Sequence, residues 1–253
     1  MRLAFVLCCL LVVAPVARAA GLNLAWDQCL SEGGVAAKKF ACNTSTGFQY
    51  LYGSFVPARP HPRFVGCAFY VDILSEATGL PDWWQFYWGG SCRQTALNVS
   101  FDFTGAPQGA CNDPFSGQGY GGIANYVVTN HPRPDYQPRP NGARIIIGVV
   151  ATSPVNVSAG TEYYGFRLAI SNQSSAGPGA CAGCATAACV TLTEAEVVDD
   201  KPDPPPGQQG QPTQFERLNM QSMGNMVSWQ DAGPSCQSAV KNKTWGQLKS
   251  LYR

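Results

Sequence analysis

An all-β fold, two sheets packed into a sandwich, is what this sequence predicts, and three observations carry the expectation. Glycine and proline are abundant, 27 and 19 of 253 residues, while only 13% are charged, a balance that suits short strands and elaborate loops better than helices. Short apolar runs with period two recur between clusters of turn residues. Nine cysteines lie beyond residue 19, the density of a chain stapled by disulfides.

Residues 1–19 read as a signal peptide. Arg2 is the positive start, Leu3 to Val13 the apolar run, and Ala17, Arg18 and Ala19 an A-x-A cleavage site. The run is too short to span a bilayer, and no later stretch approaches the length that spanning needs, so no membrane span is expected. Residues 20–253 are expected to form a single domain. They carry 15 basic and 16 acidic side chains, which leaves no field to attract nucleic acid.

From Ala20 to Gly47 little periodicity is visible, and Cys29 and Cys42 are close enough in sequence to staple a local loop. Phe48 to Val56 is aromatic-rich and stops at the proline cluster Pro57 to Pro62, so it reads as a strand. Phe64 to Leu74 is the next. Its alternation places Val65, Cys67, Phe69, Val71 and Ile73 on one apolar face, which makes Cys67 the expected buried free thiol in an odd set. The remaining eight, Cys29, Cys42, Cys92, Cys111, Cys181, Cys184, Cys189 and Cys236, are the disulfide candidates. Leu97, Val99, Phe101 and Phe103 alternate with polar residues in the cleanest half-buried pattern of the chain. A Cys92 to Cys111 bridge would bracket that strand. Ile123 to Val128 is a short strand candidate, and Arg144 to Thr152 is a continuous β-branched run expected to be central and buried on both faces. Thr161 to Ser171 and Val190 to Val198 follow. Residues 200–214 are rich in proline and glutamine, an exposed loop leading to a last strand at Asn225 to Gln230, which would bring Cys236 near Cys181, Cys184 and Cys189. Thr244 caps an expected helix over residues 244–253 with Trp245, Leu248, Leu251 and Tyr252 on one face.

The candidate contact surface is Leu80 to Cys92, which holds three of the six tryptophans. Trp83, Trp84, Tyr87 and Trp88 are its candidate binding residues: rings left exposed would form a platform for a sugar or a protein partner, and the others would complete the core. Catalytic signatures are missing. His61 and His131 each sit in a His-Pro-Arg loop with no G-x-S-x-G elbow in the chain, and read as exposed bystanders. Asp72, Asp102 and Glu162 are the carboxylates that a hydrolase could use if strands brought them together. Glu194, Glu196, Asp199, Asp200 and Asp203 read as a solvated strand end rather than a calcium loop. Cys181, Cys184, Cys189 and Cys236 have zinc-like spacing, but an oxidising compartment turns such thiols into bridges. Gly117 to Gly122 matches G-x-G-x-x-G without the helix a phosphate cradle needs. Neither cofactor nor metal is expected. Five N-x-S/T sequons begin at Asn43, Asn98, Asn156, Asn172 and Asn242.

Phe64 to Leu74, and the turn and strand from Val157 to Ile170, resemble strands of exported bacterial sandwiches of the cohesin and carbohydrate-binding-module kind. The resemblance implies an antiparallel sandwich of immunoglobulin-like or jelly-roll type, and it transfers no catalytic residue. The function expected is a secreted, non-catalytic binding or adhesion module for an extracellular glycan or protein. The alternatives are a structural component of the cell surface or an extracellular assembly, and a secreted hydrolase using carboxylates.

Overall fold

The computed structural model describes residues 20–87, 89–106, 111–128, 140–200, 215–219 and 224–232. The described residues are nearly all β, with only short 3₁₀ turns at Leu30–Glu32 and Asp82–Trp84. No described helix is long and apolar enough to cross a membrane. The helix expected over residues 244–253, the loop over 200–214 beyond Asp200, His131 and Trp88 all lie outside the described residues.

Four strands make the smaller sheet: β1 (Gly21–Trp26), β3 (Phe48–Val56), β8 (Tyr163–Ser171) and β5 (Leu97–Ser100), in the order β1-β3-β8-β5 and antiparallel throughout. The larger sheet runs β2 (Ala37–Lys38), β11 (Met226–Trp229), β9 (Ala188–Asp199), β4 (His61–Ser75), β7 (Gly142–Val157), β6 (Tyr120–Val127). β10 (Phe215–Asn219) pairs with β9 off this path. Only the short β2–β11 contact is parallel within the sheet. β10 and β11 share one edge of β9, β11 along Ala188 to Thr191 and β10 along Glu194 to Val198.

The inner faces of the two sheets meet in one core. From the larger sheet come Phe69, Val71, Ile73, Ile145, Ile147, Leu192 and Val197; from the smaller come Leu24, Leu51, Phe55, Phe166, Leu168 and Ile170, all buried. Aromatic rings stitch the layers together, with Phe55 6.1 Å from Phe64 and 6.0 Å from Phe69, and Phe166 edge-on to Phe69 at 5.2 Å. Gly165 permits that approach, since a Cβ there would stand 2.5 Å from the Phe69 ring.

Several expectations are corrected. The segment after Ala20 is not patternless: β1 is buried almost throughout because loops cover its outer side as well as the core its inner side, and so its alternation is hidden. Cys29 and Cys42 do not pair with each other. Cys29 bonds Cys111, Cys42 bonds Cys184 and Cys92 bonds Cys181, so the expected Cys92 to Cys111 bridge is also replaced. Spacing alone does not determine connectivity, and these bridges join segments 82, 142 and 89 residues apart. Cys189 is disulfide-bonded as well, with its partner outside the described residues, as Cys236 is. Cys67 is a buried free thiol, and burial pushes its pKa well up. The alternation from Leu97 leaves the ladder after Ser100, because Asp102 accepts from the Thr104 N–H (3.0 Å) and hydroxyl (2.7 Å) and turns the chain, although Phe101 and Phe103 remain buried. β7 is central by pairing but not buried on both faces, for Val150 is 51% exposed on the outer side. Between the 200–214 segment and the last strand stands β10, which sequence reading omitted.

Candidate functional site

The tryptophan segment is built into the molecule. Trp83 and Trp84 form one turn of 3₁₀ helix and are fully buried. Trp83 stacks on Trp229 of β11 at 4.9 Å and 22°, Trp84 meets Trp83 edge-on at 4.9 Å, and Trp26 of β1 lies 5.7 Å from Trp229. These rings join the edge of the smaller sheet to the edge of the larger. Polar atoms follow: Trp83 Nε1 donates to Ser175 Oγ (2.8 Å), Trp229 Nε1 to the Cys184 carbonyl (2.9 Å) and Trp26 Nε1 to the Ser228 carbonyl (3.0 Å).

Arg93 locks the cluster. Its guanidinium carbon lies 3.7 Å from the Trp83 ring centre, and its nitrogens donate to the carbonyls of Trp83 (2.6 Å), Gln173 (3.1 Å) and Ser171. Burial draws its pKa down to about 9, against a smaller opposing effect of Tyr126. The Cys92–Cys181 bridge and the bond from Trp83 N–H to the Ala182 carbonyl (2.9 Å) tie the segment to Cys181 to Cys184. Gly183 is required there: its φ is +98°, and a Cβ would stand 2.2 Å from that of Pro81.

Trp83 and Trp84 therefore offer no ring to a ligand, because the core claims both faces. Tyr87 remains 46% exposed, with its hydroxyl committed to the Leu97 carbonyl (2.9 Å) and its pKa raised by burial. Trp88 lies outside the described residues.

The expected carboxylates do not converge. Asp72 makes a two-pronged pair with Arg144 (2.5 and 2.6 Å). Asp102 is exposed in its turn, with its pKa lowered first by the Thr104 hydroxyl. Glu162 is buried, accepting from Ser54 Oγ (2.5 Å) and Asn23 Nδ2 (2.8 Å). Glu162 also lies beside Cys29 and Cys111, the one group of metal-capable atoms among the described residues, but those sulfurs are spent in their own disulfide. Cys181 and Cys184 are likewise bridged.

His61 is a correction. Instead of an exposed bystander it is a fully buried tie among three strands, with Nδ1 2.8 Å from Asp199 of β9 and Nε2 2.6 Å from Glu216 of β10. Both ring nitrogens are occupied by carboxylates, and the side chain holds β4, β9 and β10 together. The acidic cluster is paired rather than solvated: Glu194 and Glu196 with Arg217 (3.0 and 2.8 Å), and Asp200 with Arg63. Asp203 lies outside the described residues. Of the G-x-G-x-x-G match, Tyr120 to Gly122 is strand β6. Among the sequons, Asn43, Asn98 and Asn156 are exposed, whereas Asn172 is buried with its amide accepting from Gln49 (3.0 Å) and donating to the Thr46 carbonyl (2.8 Å). Asn242 lies outside the described residues.

Two exposed surfaces were missed. On the outer face of the smaller sheet, Phe48 and Tyr50 are 49% and 38% exposed, with ring centres 6.2 Å apart and planes 24° apart. The guanidinium carbon of Arg167 lies 5.5 Å from the Tyr50 ring centre, and its Nε is buried with no hydrogen-bond partner among the described residues. The ladder carries the surface across three strands: Tyr50 opposite Ala169 opposite Asn98, and Tyr52 opposite Arg167 opposite Ser100. No protein-family model and no curated protein matches this chain. The second surface is an open apolar hollow of about 390 Å³ on the larger sheet, where Tyr120, Val65, Val150 and Val198 stand around Gly66 and Gly148. Tyr120 is 78% exposed. The signal for the first surface was present in the spacing of Phe48, Tyr50 and Tyr52, since residues two apart share a strand face. Which face was wet depended on the partner sheet.

Proposed function

We propose that this chain is an exported, non-catalytic binding module, folded as a β-sandwich of immunoglobulin-like or jelly-roll type, whose contact surface is the Phe48, Tyr50 and Arg167 strip on the smaller sheet. Three disulfides favour an oxidising, extracellular environment, in keeping with an export signal over residues 1–19. The observation that carries the reading is two half-exposed aromatic rings, 6.2 Å apart, beside the Arg167 guanidinium, on a sheet face whose opposite side is the core. Catalysis gains no support, because Asp72, Asp102 and Glu162 are each engaged elsewhere and His61 is enclosed by two carboxylates.

The test compares the oxidised wild-type chain with a Phe48→Ala, Tyr50→Ala double variant on glycan arrays and against native secretions and cell-surface material. Retention of a partner by the wild type and its loss in the variant is expected. Blank results in both assays, or equal retention by the two proteins, would defeat the reading. A second reading, a structural component of an extracellular assembly, is favoured by the hollow around Gly66 and Gly148, whose walls are apolar and open to a neighbour. A Tyr120→Ala variant that loses association while the double variant keeps it would move the function to that face.

A further inference from the structure

We infer that His61 is a proton-operated latch on the edge strand β10: the charged imidazole holds β10 against β9, and loss of its proton releases the strand.

The geometry requires two protons. Nδ1 of His61 lies 2.8 Å from Asp199 Oδ2 and Nε2 lies 2.6 Å from Glu216 Oε2, so each ring nitrogen faces an acceptor at hydrogen-bond distance. A neutral imidazole has one N–H to donate, whereas the imidazolium has two. Donors approach the carboxylates from their other sides as well: Glu216 Oε1 accepts from the Ala58 N–H (2.9 Å), and the Arg59 guanidinium stands 3.9 Å from Asp199 Oδ2. The ring is therefore the group that supplies both protons, and with Arg59 it balances the two negative charges. Once one proton leaves, a nitrogen lone pair faces a carboxylate oxygen at the same short distance, beside a ring that is fully buried from water. Asp199 adds to the cost, because its Oδ1 is buried without a hydrogen bond among the described residues and the side chain relies on His61 and the more distant Arg59.

The other charged groups of the surrounding strands are engaged elsewhere. Arg63 pairs with Asp200, Asp72 with Arg144, and Arg217 with Glu194 and Glu196. On β7 the residue opposite His61 is Val157, and β1 carries no charged side chain.

β10 is the element that such a change can move. It has five residues, lies off the main path of the sheet and, among the described residues, pairs with β9 alone. His61 is held by comparison, since it stands between Pro60 and Pro62 and its backbone is paired with Val157. The tie thus joins a fixed ring to a strand at a sheet edge, where local opening costs less than unfolding the core. Opening uncovers the backbone groups of β9 from Glu194 to Val198 that β10 otherwise pairs. Because the closed edge holds a proton that the open edge gives up, opening rises with pH, by at most about tenfold per pH unit for one proton.

The experiment follows amide exchange at Phe215–Asn219 in the full oxidised chain, with rates divided by those of an unstructured peptide at the same pH, from about pH 5 to about pH 9, an interval that spans the ordinary titration of histidine. Protection of β10 is expected to be level at the acid end and then to fall by up to about tenfold per pH unit, while the β3–β8 ladder keeps its protection. Ring ¹⁵N spectra give the direct readout: His61 should show two protonated nitrogens while β10 is protected and one after release. The chain has two histidines, so the His61 signals are those lost in His61→Gln. Glu216→Gln separates a latch from a merely structural tie. Its amide can donate to a neutral Nε2 while Nδ1 donates to Asp199, so in this variant β10 protection should no longer fall as pH rises. His61→Gln should leave β10 poorly protected at every pH, with a melting curve to confirm its fold; if it does not fold, the Glu216→Gln slope and the ring spectra decide. Wild-type protection that does not change with pH, an equal fall in Glu216→Gln, or a ring with one protonated nitrogen at the acid end would each overturn the latch.

Discussion

The segment from Leu80 to Cys92 and the strand from Phe48 to Val56 are both rich in aromatic residues, yet they do opposite things. In the first, Trp83 and Trp84 are spent on the junction of two sheets, fastened by Arg93 and by the Cys92–Cys181 bridge. In the second, every other residue turns outward and the first two outward rings, Phe48 and Tyr50, remain open. Aromatic density therefore does not by itself leave rings exposed. What separates the regions is whether a second layer exists to cover the rings. The 3₁₀ turn at Asp82–Trp84 is bounded by β11, Arg93 and the Cys181 to Cys184 loop, whereas the start of β3 has the core behind it and an open face in front.

The contrast can be broken at several points, from the largest expected effect downward. Trp83→Ala should cost about 4 kcal/mol, because it empties the centre of the ring cluster and removes the surface on which Arg93 lies; urea unfolding monitored by tryptophan fluorescence measures it. Removing the staple with Cys92→Ala and Cys181→Ala should cost about 3 kcal/mol in the same assay, and a loss no greater than that of an exposed substitution would show that the segment holds itself in place. Glu216→Gln should cost about 2 kcal/mol, since it takes the charge from one side of the His61 tie; a double-mutant cycle with His61→Gln separates the pair from its surroundings.

Tyr164 provides a pH test. Burial, with the nearby acidic groups adding to it, raises its pKa from 10.0 to about 12. The unfolded chain releases this proton first, so the folded state binds more protons across that interval and its stability should fall as pH rises from about 10 to about 12. Denaturation midpoints at the two ends of the interval should differ less in Tyr164→Phe than in wild type. The smallest effect is expected in the other region. Phe48→Ala with Tyr50→Ala should change stability by only about 0.5 kcal/mol while removing binding. A large loss of stability there would mean that these rings, too, are structural.

Much of the fold was legible from alternation. Phe48 to Val56 matches its strand end to end, and the strand pattern around Cys67 placed the thiol on the face that holds Phe69 and Val71. The strands that escaped notice are those whose pattern was masked or too short. β1 is covered on both sides, and β10 follows a proline-rich segment and has only five residues. The site was less legible. His61 in its proline setting reads as a loop residue, because nothing local announces that β9 and β10 will bring Asp199 and Glu216 to its two nitrogens from 138 and 155 residues away.

By itself the sequence determined the all-β character of the chain, the positions of most of its principal strands and, where the alternation was clean as around Cys67, the side that faces inward. Those properties follow from neighbours one or two residues apart, through the two-residue period of a strand and the turn chemistry of glycine and proline. Tertiary structure alone decided which cysteines bond, which aromatic rings remain open and what surrounds a buried ion. Each of these depends on partners from distant segments, and the free energy of a disulfide, a ring contact or a buried charge is set by what lies against it in space.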